Sequence, residues 1–452
     1  MEDGKRKRED DQSNSVEREE LLARLTELEN RNRDLEEQLS RVQQNQSSIS
    51  SQSINKKQKN EKEPKLKKRK VFDFSRYNVR YVALKIAYLG WDYHGFASQE
   101  NNENTIEGHL FNALQKACLI KDRSTCNYSR CGRTDKGVSA FAQVISLEIR
   151  SNLDEGDGVI QKKESNTQQD NSTNKNSFKE EINYVYVLNK LLPDEIRVLA
   201  WIPVALDFKA RFSCVYRMYK YYFPAGDFDI ELMNKAGKRF IGEHDFRNFC
   251  KMDVANNVTS FRRNILSVDV QRMNNCSQSE YDMCVVTVKG MAFLWHQIRC
   301  MVAILFLVGQ NLEKPEIIDH MLDITKCPRR PQYSMASEIP LVLFHCEYND
   351  INWQYAKDEV TRIRDSYQKL WTTSSIKTTM MRELLNGEHT DTTEDNFSCK
   401  KGDKVAGMCL IPGHYVKSYK KILDRALCDS LETKLENLSA KQERLKKKIS
   451  ME

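Results

Sequence analysis

A carboxylate stands in a short segment that combines cations with glycines. Residues 129–143 read SRCGRTDKGVSAFAQ, so Asp135 lies between Arg133 and a lysine, with Gly132 and Gly137 on either side. Glycines permit sharp turns and close approach of the backbone to a ligand. A neighbouring cation favours the ionised form of an aspartate, and an ionised, positioned carboxylate can act as a nucleophile. Nucleophilic chemistry centred on Asp135 is therefore one interpretation of this segment.

Three other interpretations compete with a nucleophile. An Asp close to Gly is ordinary turn chemistry, and for these residue types alone a turn is the more common outcome. Gly132 and Gly137 have the spacing of the outer glycines of a phosphate-binding loop, but that loop needs Lys-Ser or Lys-Thr next, and Val138 and Ser139 follow here. An aspartic protease needs a second carboxylate that shares the site, and the sequence offers no companion motif. The residues alone leave a turn and a nucleophile open.

Several segments, taken in chain order, resemble those of one enzyme family. The pattern R-T-D-x-G-V-x-A around Asp135 resembles the catalytic loop of TruA-type tRNA pseudouridine synthases. Further blocks resemble the family's later segments, and they lie at residues 188–198, 209–223, 242–249, 292–309 and 340–342. Within the family, the segments around Asp135 and residues 244–257 look most like the eukaryotic branch that acts at tRNA positions 38 and 39.

The resemblance implies roles for five residues. Asp135 is the expected nucleophile on a uridine of the tRNA anticodon stem-loop, after which the N-glycosidic bond breaks and uracil rejoins through carbon 5. Arg133 and Arg299 are expected to orient this carboxylate and to hold it charged. Tyr219 is the expected stacking partner of the extruded base, and Leu341 an apolar residue of the site. This chemistry requires no cofactor and no metal, so neither is expected.

Two alternatives to this function remain open at the level of sequence. One is an enzyme of the same family that acts at a different tRNA or RNA position. The other is a non-catalytic RNA-binding protein on the same scaffold, against which the intact set of Asp135, Arg133 and Tyr219 argues.

The elements that must position these residues predict an α+β fold. Val82, Leu84 and Ile86 alternate as in a strand, and Thr105 is placed to cap a following helix. The apolar run at residues 296–308 predicts a buried helix. The resemblance implies the pseudouridine synthase fold, in which two α/β lobes with mixed, largely antiparallel sheets surround a central cleft.

Composition divides the chain into five parts. We predict a charged disordered tail at 1–16, a coiled coil at 17–45, a basic disordered linker at 46–78, a catalytic domain at 79–350 with a disordered insertion at 152–181, and a C-terminal extension at 351–452 with a charged terminal helix.

The predicted coiled coil follows a heptad pattern. Apolar residues recur from Leu21 to Val42 with alternating spacings of four and three, and Asn32 is the single polar residue at an a position. Such an asparagine is typical of the register of a parallel dimer. A homodimer is therefore expected, with a single solvated helix as the alternative. The resemblance also permits dimerisation through the globular cores.

The charge of the chain is concentrated in the linker. The net charge is +7, and residues 56–70 hold nine Lys or Arg and two Glu, which account for the whole excess. Composition therefore does not by itself indicate a basic RNA-binding groove in the folded part. Residues 65–70 (KLKKRK) are typical of a nuclear-import signal or a nucleic-acid arm, with a solvated linker as the alternative. We expect the protein in the nucleus, with the cytoplasm as a second compartment.

The sequence lacks two patterns, which limits the possible functions. No apolar run reaches the roughly 18–20 residues of a membrane-spanning helix, so no membrane association is expected. The thirteen cysteines include no C-x-x-C pair, which favours free thiols in a reducing compartment over a zinc site.

Overall fold

The computed structural model describes residues 72–100, 102–161, 180–254, 258–273, 282–385 and 419–449. The predicted tail at 1–16, the coiled coil at 17–45 and the linker up to residue 71 lie outside the described residues. Among the helices that are described, none is long and apolar enough to cross a membrane.

Within these described residues, ten strands form one mixed sheet. They are β1 Asn78–Tyr88, β2 Ser129–Arg130, β3 Ser139–Ser151, β4 Val159–Ile160, β5 Ile196–Pro203, β6 Cys214–Pro224, β7 Gly242–Asp245, β8 Arg262–Arg272, β9 Met283–Gly290 and β10 Leu341–Tyr348. The strand order is β4-β1-β3-β10-β6-β9-β8-β7, with β2 paired to β3 and β5 paired to β1. β10 runs parallel to β3, and the other pairs described are antiparallel. The predicted mixture of strands and helices is confirmed.

Seven α-helices of the described part of the chain accompany the sheet. They are α1 Ile106–Lys116, α2 Tyr184–Asn189, α3 Ile230–Gly237, α4 Gln297–Gly309, α5 Ile317–Leu322, α6 Lys357–Leu385 and α7 Leu431–Ile449. The predicted cap is confirmed, because the Thr105 side chain accepts a hydrogen bond from the Gly108 amide at the start of α1. The predicted buried helix is α4, in which twelve of thirteen residues are buried and Arg299 is the exception.

The core consists of two hydrophobic clusters, one for each half of the sheet. One surrounds α4 and includes Leu341 and Tyr221. The other surrounds β1, β3 and α1 and includes Leu343 at the next inward position of β10. Tyr219 on β6 packs against both clusters. The central strands β6 and β10 therefore hold the two halves together, since each strand contributes buried side chains to both clusters.

Two segments that were predicted to lie outside the folded domain contain ordered structure. At the start of the predicted insertion 152–181, β4 pairs with Val79 and Arg80 of β1, and at its end Glu181 forms an ion pair with Arg80. Residues 162–179 lie outside the described residues. In the C-terminal extension, Ile422 is fully buried in the cluster around α4, so this extension completes the core as well as forming the predicted terminal helix.

Candidate active site

Asp135 lies in the loop between β2 and β3, and backbone contacts fix this loop. The Gly137 amide donates to the Tyr93 carbonyl at 3.2 Å, and the Val138 amide donates to the Asp135 carbonyl at 3.2 Å. Gly137 has a φ of +79°, and a Cβ atom there would lie 2.8 Å from the Glu338 side chain. Both facts require glycine at this position. The turn and the reactive carboxylate are thus features of one loop and need not exclude each other.

Two aromatic side chains contact the Asp135 carboxylate. The Trp295 indole donates a hydrogen bond from Nε1 to Oδ1 at 3.1 Å. His296 Nε2 lies 3.3 Å from Oδ2. The Asp135 side chain retains 31% of its exposure, so the carboxylate is held from one side and open on another.

Trp295 and His296 occupy the residues just before the buried helix α4. His296 is the N-cap residue and has a left-handed backbone with φ of +61°, a conformation that costs a non-glycine residue roughly 1–2 kcal/mol. The Lys251 ammonium lies 4.6 Å from the centroid of the Trp295 ring, and the Lys251 amide donates to the Trp295 carbonyl. These contacts fix the indole in the orientation that directs its N–H toward Asp135.

Burial and nearby charges shift the pKa values of His296 and Asp135, and both shifts favour the neutral forms. Burial lowers the pKa of His296 to about 4, and the positive charges of Arg299 and Lys251 act in the same direction. The contact with Asp135 is therefore a polar contact with a neutral imidazole rather than an ion pair at neutral pH. Burial raises the pKa of Asp135, and Glu338 adds to this shift, whereas the Trp295 hydrogen bond and the charge of Arg299 oppose it.

Arg299 lies close to Asp135 but forms its hydrogen bonds elsewhere. Its Nη2 donates to Glu338 Oε2 at 2.8 Å, and its Nε donates to the Ala336 carbonyl at 2.8 Å. The expected direct pairing with Asp135 is replaced by an ion pair with Glu338, because that carboxylate lies over Gly137 next to the same loop. The charge of Arg299 still lowers the pKa of Asp135, so it acts on the carboxylate through space.

Arg133 has an exposed side chain. Within the described part of the chain, the contacts of the Asp135 carboxylate come from Trp295 and His296, and none comes from Arg133. The expected role of Arg133 in orienting the carboxylate therefore has no contact to support it in this state, and its guanidinium is free to meet a ligand.

Tyr219 and Leu341 lie on the two central strands next to the Asp135 loop. Leu343 of β10 pairs with Tyr219 on one side and with Ala140, five residues after Asp135, on the other. The half-buried Tyr219 ring packs edge-to-face on Phe293, with ring centroids 5.2 Å apart. Leu341 is 5% exposed. The topology thus brings both residues to the strands that flank the loop.

Comparison with known proteins places this chain in a family. A family model described as tRNA pseudouridine synthase matches residues 236–349, a range that includes Trp295, Arg299 and Leu341. The tRNA pseudouridine(38/39) synthase of Bos taurus is 43% identical over 443 residues, which is 93% of this chain and 88% of that protein. The chain belongs to the tRNA pseudouridine synthase family.

Two further relatives support the same membership. The tRNA pseudouridine(38/39) synthase of Homo sapiens is 45% identical, and the alignment covers 82% of this chain and 79% of that protein. The protein of the same description from Saccharomyces cerevisiae is 40% identical, with 92% and 89% covered. The resemblance inferred from the motifs is confirmed, and this pseudouridine synthase is an isomerase.

Three residues of the pseudouridine synthase site escaped prediction. Trp295 and His296 belong to a segment that resembles the family, yet nothing in the sequence indicates where an indole N–H points. Glu338 lies in a coil segment with no motif of its own. The available signal was a pair of aromatic polar residues directly before an apolar helix.

Proposed function

We propose that this chain isomerises uridine to pseudouridine at positions 38 and 39 of the tRNA anticodon stem-loop. The observation that carries the proposal is the Asp135 carboxylate, which accepts a hydrogen bond from Trp295 and keeps one open side. The relatives described as tRNA pseudouridine(38/39) synthases align with most of this chain. This extensive alignment supports positions 38 and 39 as the target.

The proposed reaction breaks one bond and forms another without oxidation or reduction. The target uridine leaves its stack and enters the site, as a buried base must for chemistry to reach it. The ionised Asp135 attacks the nucleotide, either at the sugar or at the ring, and the bond between C1′ and N1 breaks. Uracil rotates, C1′ bonds to C5, and the bond that Asp135 formed to the nucleotide breaks, so that the carboxylate is released. The proton on C5 leaves, and N1 gains a proton in the product. No cofactor takes part in these steps.

The neighbouring residues support this chemistry in different ways. The Tyr219 ring supplies a face for the extruded base, and the apolar Leu341 helps to exclude water. The neutral His296 cannot protonate Asp135 near neutral pH, because its pKa is lowered to about 4. We assign Arg299 to electrostatic support of the carboxylate and Arg133 to the nucleic acid, since phosphate contacts position a nucleic acid and exposed arginines provide them.

The architecture that surrounds the site is also part of the proposal. We propose that the two hydrophobic clusters correspond to two lobes on either side of a cleft that receives the anticodon stem-loop. We also propose that residues 17–45 form a parallel coiled coil in a homodimer. Sedimentation of the isolated segment 1–52 tests the coiled coil, and a purely monomeric helix at high micromolar concentration would remove it.

Nuclear import through residues 65–70 is a separate proposal. It is supported by the basic run KLKKRK. A fluorescent fusion of the full chain should enter the nucleus, and the same fusion without this run should do so less. Unchanged localisation would refute this import signal.

The target position is tested by mapping pseudouridine in tRNA. Purified full-length protein is incubated with anticodon stem-loops that carry uridine at position 38, at position 39, at both or at neither. We expect conversion of uridine at positions 38 and 39 only. The Asp135→Asn protein serves as the inactive control. Conversion at another position would show that this enzyme acts on a different target within the family. RNA binding by the folded wild-type protein without conversion would favour the non-catalytic alternative.

A further inference from the structure

Three cysteines from distant parts of the chain converge in the interior. The Sγ atoms of Cys131, Cys214 and Cys346 all lie within 4.8 Å of one another. The sulfurs of Cys131 and Cys346 are 3.5 Å apart. The three residues are 2%, 8% and 4% exposed. Among the described residues this is the only group of three or more His, Cys, Asp or Glu whose ligand atoms lie close enough together for one metal ion.

The spacing of the sulfurs suits a tetrahedral metal. Zinc–sulfur bonds of about 2.3 Å in a tetrahedral site place two sulfurs about 3.8 Å apart. The Cys131–Cys346 separation, 3.5 Å, is slightly smaller, and no separation exceeds 4.8 Å. Side-chain movements of about 1 Å or less therefore bring all three sulfurs to the spacing of zinc ligands. The fourth position of the tetrahedron stays open for a water or a small ligand.

A cation lies beside the cluster and favours ligands that become negatively charged when a metal binds. The partly buried Arg217 guanidinium donates to the carbonyls of Cys131, Arg211 and Met291 at 2.7–3.2 Å. In the described part of the chain its hydrogen bonds go to these backbone carbonyls and none goes to a carboxylate. A partly buried charge without a counter-charge is costly. The Cys131 carbonyl places Arg217 next to the cluster, so cysteines that release their protons on binding a metal would supply the missing counter-charge.

Charge balance selects the kind of cation. One Zn²⁺ ion and three thiolates leave a single negative charge, which the guanidinium of Arg217 neutralises. Cu⁺ with three thiolates leaves two negative charges, one of them unbalanced. A disulfide between two of the sulfurs removes the thiolates and leaves Arg217 without a counter-charge. A dication that prefers thiolate ligands therefore fits best.

We infer that Cys131, Cys214 and Cys346 form a zinc site with three protein ligands. The sequence predicted free thiols and no zinc, because zinc ligands usually come in closely spaced pairs and these three span residues 131–346. Binding releases the thiol protons, with no change in oxidation state. The site joins the segment four residues before Asp135 to the first residue of β6, which carries Tyr219, and to β10. The metal would therefore fasten the catalytic loop to both central strands.

Metal analysis of the full-length protein tests this inference. The protein is purified under reducing conditions from zinc-supplemented cells and examined by elemental analysis and native mass spectrometry. We expect one zinc per chain in the wild type and in Cys284→Ala, a matched control that removes a fully buried cysteine of β9 outside the cluster. Cys346→Ala should lose the zinc. A strong chelator should lower the Tm of the wild type and of Cys284→Ala, but not that of Cys346→Ala.

A second measurement covers the case in which Cys346→Ala does not fold. Wild-type protein is stripped of metal, and its Tm is followed as Zn²⁺ alone or Cu⁺ alone is added. Recovery with one equivalent of Zn²⁺ supports the site. A folded, metal-free wild type that takes up no zinc would overturn the inference, and so would a disulfide between Cys131 and Cys346 found by peptide mapping. Preferential uptake of Cu⁺ would overturn the assignment of the cation.

Discussion

The hydrogen bond from Trp295 to Asp135 gives the sharpest prediction about the site. Trp295→Phe keeps an aromatic ring before α4 but removes the only donor that the structure shows in hydrogen bonding to this carboxylate among the described residues. The bond favours the ionised form and opposes the effect of burial. Its loss should raise the pKa of Asp135. Since only the ionised carboxylate can attack, the acid limb of the pH–rate profile should move to higher pH.

The size of this shift follows from the strength of a hydrogen bond to a charged group. Such bonds contribute about 1.5–3 kcal/mol. The Asp135 side chain is 31% exposed, so water screens part of the effect and the lower value of about 1.5 kcal/mol applies. That free energy corresponds to about one pKa unit. At pH values where Asp135 is ionised in both proteins, we expect a further loss of about tenfold in rate, because the carboxylate is less well oriented.

The assay is single-turnover pseudouridine formation with excess enzyme across the acid limb, together with a measurement of tRNA affinity. Trp371→Phe is the matched control, because it makes the same change at an exposed tryptophan of α6. It should leave both the acid limb and the rate unchanged. A folded Trp295→Phe enzyme whose profile overlays that of the wild type would refute the role assigned to this hydrogen bond.

Three further predictions follow from neighbouring contacts. Glu338→Gln removes a negative charge that raises the pKa of Asp135, so the acid limb should move to lower pH, and a shift to higher pH would contradict this sign. Tyr219→Ala should slow single-turnover catalysis more than it weakens tRNA binding, whereas Tyr219→Phe should be milder because the ring face survives; full activity of the alanine variant would exclude stacking. Ile422→Ala should lower the free energy of unfolding by about 2–5 kcal/mol, because Ile422 is fully buried. Leu423→Ala changes a residue that is 47% exposed and should alter this free energy little. If denaturant titrations gave an effect for Ile422→Ala as small as that for Leu423→Ala, the C-terminal segment would add nothing to the core.

Local signals predicted the parts of the fold that depend on neighbouring residues. The cap at Thr105, the buried helix α4 and the turn that carries Asp135 each follow from residue types within one or two turns of chain. Glycine at position 137 is a good example, since its need for a positive φ is a local property. Features of this kind can be predicted from the sequence without knowing what the segment packs against.

Contacts between distant segments could not be predicted in the same way. The insertion of β10 between β3 and β6 joins segments about 120 to 200 residues apart. Trp295 meets Asp135 from 160 residues away in the chain. Other contacts between distant segments pair Arg299 with Glu338 and bring Ile422 into the core. Spacing within a motif carries no information about such partners, so the site was predicted at Asp135 and incompletely around it.

The chemistry of Asp135 is the central claim, and one measurement tests it most directly. Single-turnover pseudouridine formation at positions 38 and 39 is compared between the wild type, Asp135→Asn and Asp227→Asn, a control at an exposed aspartate in the turn after β6. An amide cannot act as the nucleophile, so we predict that Asp135→Asn binds tRNA and stays folded but forms no pseudouridine, whereas Asp227→Asn matches the wild type. Pseudouridine formation at the wild-type rate by a folded Asp135→Asn protein would contradict the account.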